Sequence, residues 1–290
     1  MVTEMAAAHR ENPYAGISKA TTLEREPYHK TQVRPFERLV EEKAVTGKDL
    51  KKQFWRIVRP IRRTLIRYTR RPAVDGIDWG HLRRLKPVSR DWGFDRGQPI
   101  DRYYIEAFLA ANRADIKGHV LEVAGDNYTQ QFGGTQVDCS DVLDVMKDNP
   151  RATIVADLTN ADDLEGERFD CIICTQTIQF IFDINAALAT LYRLLRHGGV
   201  LLLTVPGISP ISREDMAKSG DYWRFTDASI DRLLSHNFPD STFSIQNHGN
   251  VLASTAFIQG IAANELRTEE LSETDPQFPL LISARAVKGM

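Results

Sequence analysis

The chain has 290 residues, of which 42% are hydrophobic and 26% charged, the balance of a folded globular protein rather than a disordered or fibrous one. At roughly 100–200 residues per domain, that length holds one large domain plus an extension. The formal net charge of −2, from 37 basic and 39 acidic residues, excludes a global field that would draw the chain to nucleic acid. No apolar run approaches the ~20 residues of a membrane span, and the polar N-terminus lacks a signal-peptide core. The three cysteines, Cys139, Cys171 and Cys174, fit a reducing, cytoplasmic setting without a disulfide framework.

Near-neutrality hides a cancellation. From Lys51 to Arg71 lie nine basic residues (Lys51, Lys52, Arg56, Arg59, Arg62, Arg63, Arg67, Arg70 and Arg71) and no acid, so the remainder sums to −2 − 9 = −11. Residues 1–50 are polar and without clear period, which predicts a mobile or loosely packed arm. Within the basic stretch Phe54, Val58, Ile61, Leu65 and Tyr68 step by 4, 3, 4 and 3, a helical stripe that Pro60 is expected to start or kink. Such a helix can dock on the acidic remainder, mate with a second copy in a homo-oligomer, or touch an anionic membrane. Docking is the leading expectation, and membrane contact through 51–71 the lesser one. Residues 72–100, rich in Gly, Pro, Trp and Arg, read as a linker with docked aromatics. The expected organisation is a mostly helical extension over 1–91 and one domain over 92–290.

Asp101 resembles a helix N-cap, followed by an apolar face of Ile105, Phe108 and Leu109. From residue 118 short apolar runs alternate with helical stretches. HVLEVA (119–124), QVDCSD (136–141), ATIVAD (152–157), FDCIICTQ (169–176) and VLLLTVP (200–206) read as strands. INAALATLYRLLRHGG (184–199) reads as an amphipathic helix with Gly198 in its C-cap region, and DASIDRLLSHNF (227–238) as a helix capped by its aspartate. TFSIQNHG (242–249) and LLISARAVK (280–288) are late strands. This alternation predicts an α/β fold, a doubly wound, mainly parallel sheet with helices on both faces. Cys171 and Cys174 sit three apart in a strand and so point to opposite faces, which predicts two buried apolar thiols and no metal site.

Open sheets of this kind bind ligands beyond the carboxyl ends of their strands. The first strand ends at Glu122 and the turn Ala124-Gly125-Asp126-Asn127. Asp141 follows Glu122 by 141 − 122 = 19 residues, near the spacing of an acid that binds ribose hydroxyls. At the third strand end Asp157 precedes Leu158, a carboxylate beside an apolar side chain that suits an adenine. Thr175-Gln176-Thr177 follows the fourth strand. An aspartate in the first turn would repel a pyrophosphate, which disfavours a nicotinamide dinucleotide.

HVLEVAGDNYT, the acid at Asp141, VADL around Asp157, FDCIICTQTIQFIFD and LYRLLRHGGVLLLTVPG together resemble the class I S-adenosylmethionine-dependent methyltransferases. RGQPIDRYYIEAFLA, VPGIS and GDYWRFT are similar to a bacterial subgroup often found with sugar- and polysaccharide-modifying enzymes. The resemblance spans residues 92–290 and implies a Rossmann-like methyltransferase sheet with S-adenosylmethionine as cofactor. The sequence departs from the family's glycine-rich first turn, placing Ala124, Asp126 and Tyr128 at its three glycine positions. Carried onto this chain, the resemblance puts Glu122, Ala124, Gly125 and Asp126 at the methionine moiety and Asp141 on the ribose hydroxyls. Val142 would lie against the adenine, Asp157 and Leu158 along its edge, and Cys174 and Thr175 near the sulfonium. Tyr104, or its neighbour Tyr103, would close the site from above.

Methyl transfer from a sulfonium is an in-line displacement whose main requirement is alignment. An oxygen nucleophile also needs a base within reach, and Asp221 and His248 are the catalytic candidates. Gln179, Tyr222, Trp223 and Arg224 are the substrate-binding candidates, mixing stacking and charge. The expected reaction is O-methylation of a sugar or related small-molecule acceptor. The alternatives are C- or N-methylation of a natural-product small molecule, or a cofactor-binding protein of the same fold without catalysis. No nucleic acid acceptor and no metal are expected.

Overall fold

The computed structural model describes residues 47–69, 72 and 76–289. Most of the arm expected over residues 1–50 therefore lies outside the described residues. The chain divides into two units, Met1–Ile77 and Asp78–Met290.

In the first unit, helix α1 spans Gly47–Thr69 and runs through Pro60 without starting there. A proline inside a helix removes one backbone bond to the preceding turn, and the apolar stripe on both sides of Pro60 stays in phase. No described helix is long and apolar enough to cross a membrane.

The second unit is built on a seven-stranded sheet in the order β3-β2-β1-β4-β5-β7-β6. Its strands are β1 (Gly118–Val123), β2 (Val137–Asp144), β3 (Ile154–Val155), β4 (Phe169–Thr175), β5 (Leu195–Pro206), β6 (Thr242–His248) and β7 (Leu281–Val287). The first five pair in parallel, and β7 inserts antiparallel between β5 and β6. The helices are α2 (Ile100–Ala111), α3 (Ile184–Leu194), α4 (Arg213–Lys218), α5 (Asp227–Asn237), α6 (Val251–Ile258) and α7 (Thr268–Ser272). This is the doubly wound, mainly parallel sheet that the sequence predicts.

Alternation along the central strands feeds two cores. Leu121, Ile172, Cys174, Leu201 and Leu203 join α3 and α5 on one face. Val120, Cys171, Ile173 and Leu202 join α2 and α6 on the other. Each fully buried Leu or Ile contributes about 1.5–3 kcal/mol by leaving water, so continuous apolar runs are needed where both faces are covered. Cys171 and Cys174 do lie in opposite cores, and burial pushes both thiols up, Cys174 to about 12.

Several boundaries differ from the sequence reading. β2 continues three residues past Asp141 to Asp144, because Val142 and Leu143 are buried sheet residues. α3 stops at Leu194 and its residues 195–199 enter β5, with Gly198 at φ +76 at the irregular start of that strand instead of at a helix cap. α2 starts at Ile100 with Pro99 as its N-cap, so Asp101 lies in its first turn; Thr226, not Asp227, caps α5.

Candidate functional site

The strand order reverses at β1, which pairs with β2 on one side and β4 on the other. At such a switch point the loops after neighbouring strands turn apart and open a crevice at the carboxyl edge. Here that edge holds a cavity of about 1270 Å³, lined by residues 122–125 at the end of β1, 143–146 at the end of β2, 156–159 after β3 and 175–177 at the end of β4. A second cavity of about 550 Å³ shares Phe94, Arg102, Gln176, Phe180 and Asp215 with the first and extends toward residues 209–215, Asp221 and Arg224.

Glu122 is the penultimate residue of β1, and its side chain is buried. Its Oε1 accepts from the Tyr128 N–H (3.2 Å), and its Oε2 from the Thr129 N–H and hydroxyl (2.7 and 2.8 Å). Desolvation raises its pKa against those three bonds. The side chain thus fastens the turn that follows β1, fixing the loop wall of the larger cavity. Inside that turn Ala124 takes φ +68, a left-handed conformation that costs a residue with a Cβ roughly 1–2 kcal/mol. Ala124→Gly should relieve most of that strain, offset by about 0.4–1 kcal/mol of added unfolded-chain entropy. A small net rise in thermal stability is expected, and a fall in Tm would show that the Ala124 methyl packs usefully. Gln176 at φ +47 and Trp92 at φ +54 line the cavities in the same strained region. Such backbone persists where the surroundings over-determine it.

Asp144 ends β2 at the cavity wall, accepting from the Met146 N–H at 2.8 Å and from Asn149 Nδ2 at 2.6 Å. Asp157 lies two residues past β3. Its Oδ1 accepts from Thr159 N and Oγ1, both at 2.8 Å, while its Oδ2 has no partner among the described residues. The buried Leu158 adjoins it. The larger cavity carries Glu106, Glu122, Asp144, Asp157, Asp183 and Asp215 against Arg102 and Lys218. An excess of carboxylates favours a cationic ligand and opposes a pyrophosphate.

The larger cavity brings together Glu122, Ala124, Gly125, Asp157, Leu158, Thr175 and Tyr222 among the residues singled out from sequence. Gln179, Asp221 and Arg224 line the smaller one. Tyr104, Asp126, Asp141, Val142, Cys174, Trp223 and His248 line neither.

Asp141 is a mid-strand residue facing away from the crevice. It binds His119 Nε2 (2.8 Å), Thr153 Oγ1 (2.6 Å) and Arg168 (2.5 Å). Burial would raise its pKa, but the bonds from Thr153 and His119 and the Arg168 charge hold it below the ordinary carboxylate value. The exposed Cys139 brings a third donor within 4.8 Å of His119 and Asp141, outside both cavities, where Arg168 already neutralises the carboxylate. Val142 is buried in β2, and Cys174 is fully buried in β4. Asp126 pairs with Arg151 at 3.1 Å. Tyr104 donates its hydroxyl to the Leu271 carbonyl at 2.8 Å, and Trp223 donates to the Ile181 carbonyl at 3.1 Å.

Both catalytic candidates are engaged with neighbouring side chains. Asp221 makes a bidentate pair with Arg224 (2.6 and 2.8 Å) and accepts from the Ser212 N–H at 2.9 Å. Burial opposes its ionisation, yet these bonds hold its pKa below the ordinary value. A carboxylate so satisfied is a poor base, and it pins the 209–212 loop instead. His248 stacks on Tyr104 (5.7 Å between centroids) and its Nε2 contacts Ser283 Oγ at 2.7 Å. Burial pushes its pKa down to about 4. The folded state therefore binds fewer protons than the unfolded chain below the free histidine value of ~6.5, and stability falls as pH drops from there toward 4. The loss amounts to about 3 kcal/mol at 1.36 kcal/mol per unit. His248→Gln should flatten this slope in denaturation curves recorded from pH 7 to 4; an unchanged slope would assign it to another group.

Among the cavity residues, Asp144 and Arg102 are passed over in the sequence reading, and Asp101 enters it only as a helix cap and Gln176 only as a strand-end residue. Asp101, on the first turn of α2, lines the smaller cavity half-buried, with Oδ1 accepting from the Arg102 N–H at 2.8 Å. Desolvation raises its pKa, the Arg102 charge and N–H pulling the other way. Gln179 lines the same cavity with Oε1 buried and unpartnered among the described residues. The signal for Asp144 was present: the run Val142-Leu143 extends the strand and leaves the next acid at its end.

Residues 114–203 match a family described as "Methyltransferase domain". No curated protein matches the chain. Among solved structures, a SAM-dependent methyltransferase from Archaeoglobus fulgidus is 12% identical, with 64% of this chain and 94% of that one covered and a TM-score of 0.43. The plantazolicin methyltransferase, solved with a triazolic desmethylPZN analogue and SAH, is 16% identical over 70% of this chain and 90% of that one, with a TM-score of 0.45. The 1,6-didemethyltoxoflavin-N1-methyltransferase from Burkholderia thailandensis is 16% identical over 69% and 82%, with a TM-score of 0.44. The family match over 114–203 covers β1 to β5 up to Leu203, the strands that build the larger cavity. Residues 114–203 thus carry a methyltransferase domain.

Proposed function

We propose that the enzyme O-methylates a sugar or a related small polyhydroxylated acceptor seated in the 550 Å³ cavity. The observation that carries this reading is the pairing of two adjoining cavities, one acidic and large, the other smaller and lined by polar side chains. The larger suits S-adenosylmethionine. Asp144 would accept from the ribose hydroxyls and Asp157 from the adenine amine, while Leu143, Val145 and Leu158 supply apolar surface. The net negative wall suits the ligand's ammonium and sulfonium. When bound, the cofactor supplies an electrophilic methyl group.

The chain's own residues then have three tasks. Gln176, in both linings, and Phe180 would position the acceptor at the junction of the cavities. The unpartnered Gln179 Oε1 would accept from an acceptor hydroxyl, since a buried carbonyl left unpaired costs about 1–3 kcal/mol. Asp101 would take the proton of the attacking hydroxyl on its Oδ2, its raised pKa making it a stronger base than an ordinary carboxylate. Phe182, Tyr222 and Trp223 form an exposed aromatic group, with Phe182 5.4 Å from Tyr222 and 5.8 Å from Trp223, whose rings offer stacking to the apolar face of a sugar.

Calorimetric titration with S-adenosylhomocysteine, followed by transfer of labelled methyl to a panel of sugars and matched amines, tests both levels. Binding with label recovered in a methyl ether supports the reading. Label recovered only on nitrogen or carbon would replace the acceptor assignment while leaving the cofactor site standing.

A further inference from the structure

We propose that α1 is an interfacial helix that lies on an anionic phospholipid surface. The apolar residues Phe54, Ile57, Val58, Ile61 and Leu65 recur at spacings of three, one, three and four, which on a helix of 3.6 residues per turn places them in one stripe roughly 100° wide. Four of them, Phe54, Ile57, Ile61 and Leu65, are 55–65% exposed. Lys51, Arg56, Arg59 and Arg62 are also exposed and fall outside the stripe. From Lys51 to Arg71 the chain adds nine positive charges and no acid.

That combination selects the occupant. A basic polar face opposite an apolar stripe containing Phe, Ile and Leu is the composition of helices that bury one side in the headgroup–acyl boundary. Trp55, among the basic residues flanking the stripe, is 38% exposed, and an indole so placed suits the headgroup level. The charge complements an anionic leaflet, which attracts each Lys or Arg near its surface. A polyanion such as RNA would satisfy the arginines but leave the apolar stripe in water. At 23 residues the helix would lie flat over about 35 Å. The inference is independent of the acceptor assignment, since it rests on α1 and the first unit alone.

The test is co-sedimentation of the full chain with phosphatidylcholine vesicles, with and without phosphatidylglycerol. Two triple variants accompany it: Ile57→Ser/Ile61→Ser/Leu65→Ser, which keeps the charge, and Arg56→Gln/Arg59→Gln/Arg62→Gln, which keeps the stripe. The expected result is binding that requires phosphatidylglycerol, weakens in high salt, and falls by about tenfold or more in each variant. S-adenosylhomocysteine binding should be the same in all three proteins, which shows that the domain is folded. Failure of the parent chain to sediment with anionic vesicles overturns the proposal. Sedimentation indifferent to the serine variant also overturns it, because binding would then be charge alone. Tighter binding to duplex RNA than to the vesicles is equally fatal. So is exchange of the α1 amides, without lipid, as slow as that of the sheet, the mark of a helix already docked on protein.

Discussion

Asp144→Ala should weaken S-adenosylhomocysteine binding by about 10–150-fold, the loss of hydrogen bonds to a charged acceptor worth roughly 1.5–3 kcal/mol. Asp141→Ala should leave that affinity within about twofold. The contrast arises because the two acids lie three residues apart on β2, one inside the strand and one at its end on the cavity wall. Asp141→Ala should instead destabilise the fold by about 3 kcal/mol, the low end for removing one partner of a buried pair, since Arg168 is partly solvated and His119 more buried. Its pH dependence follows from the depressed carboxyl. That stabilisation is present above the unfolded value of ~3.9 and lost as pH falls through the lower folded value. The stability gap between parent and Asp141→Ala should therefore close in acid. Calorimetric titration and denaturant curves of both variants decide it; a large affinity loss in Asp141→Ala with Asp144→Ala unaffected would refute this placement of the site.

The same pair shows what can be read from sequence and what cannot. Period-two runs and strand-end turns were enough for the sheet, because burial on both faces forces apolar continuity in β4 and β5. The ends of β1, β3 and β4 followed, and with them Glu122, Ala124, Gly125, Asp157, Leu158 and Thr175. β2 misled because its buried interior contains a carboxylate. Asp141 survives there only through Thr153, His119 and Arg168, partners that arrive from three other segments and leave no local trace. Asp221 and His248 show a related limit. Residue type suggests a base, whereas partner geometry decides whether a lone pair is available, and Arg224 and Ser283 are visible only once the loops are folded. Asp126 likewise looks like a ligand group until Arg151, 25 residues on, is seen to occupy it. The junction of the two cavities was beyond reach altogether, because Phe94, Arg102, Gln176, Phe180 and Asp215 come from four separate stretches of chain.

Asp101→Asn should lower kcat for methyl transfer to a hydroxyl by about 10²–10⁴-fold, the usual contribution of a positioned base, with S-adenosylhomocysteine affinity unchanged. Asparagine keeps the shape and can still accept from the Arg102 N–H, but cannot take a proton. The parent's activity should fall on the acid side with a midpoint above the ordinary aspartate value of ~3.9, since desolvation raises the Asp101 pKa and the carboxylate is the working form. The residual activity of the variant should lose that limb. Stability should move the opposite way. A carboxyl whose folded pKa is raised binds its proton more tightly in the folded state, so stability declines as pH rises through the window that begins near 3.9. Neutral asparagine escapes that cost, and the variant should melt higher than the parent at neutral pH while matching it in strong acid. A residue that merely packed would give the reverse, lower Tm with kcat intact. Loss of activity together with gain of stability is the signature of a group held in an unfavourable environment for its chemistry, and only that combination would establish Asp101 as the base.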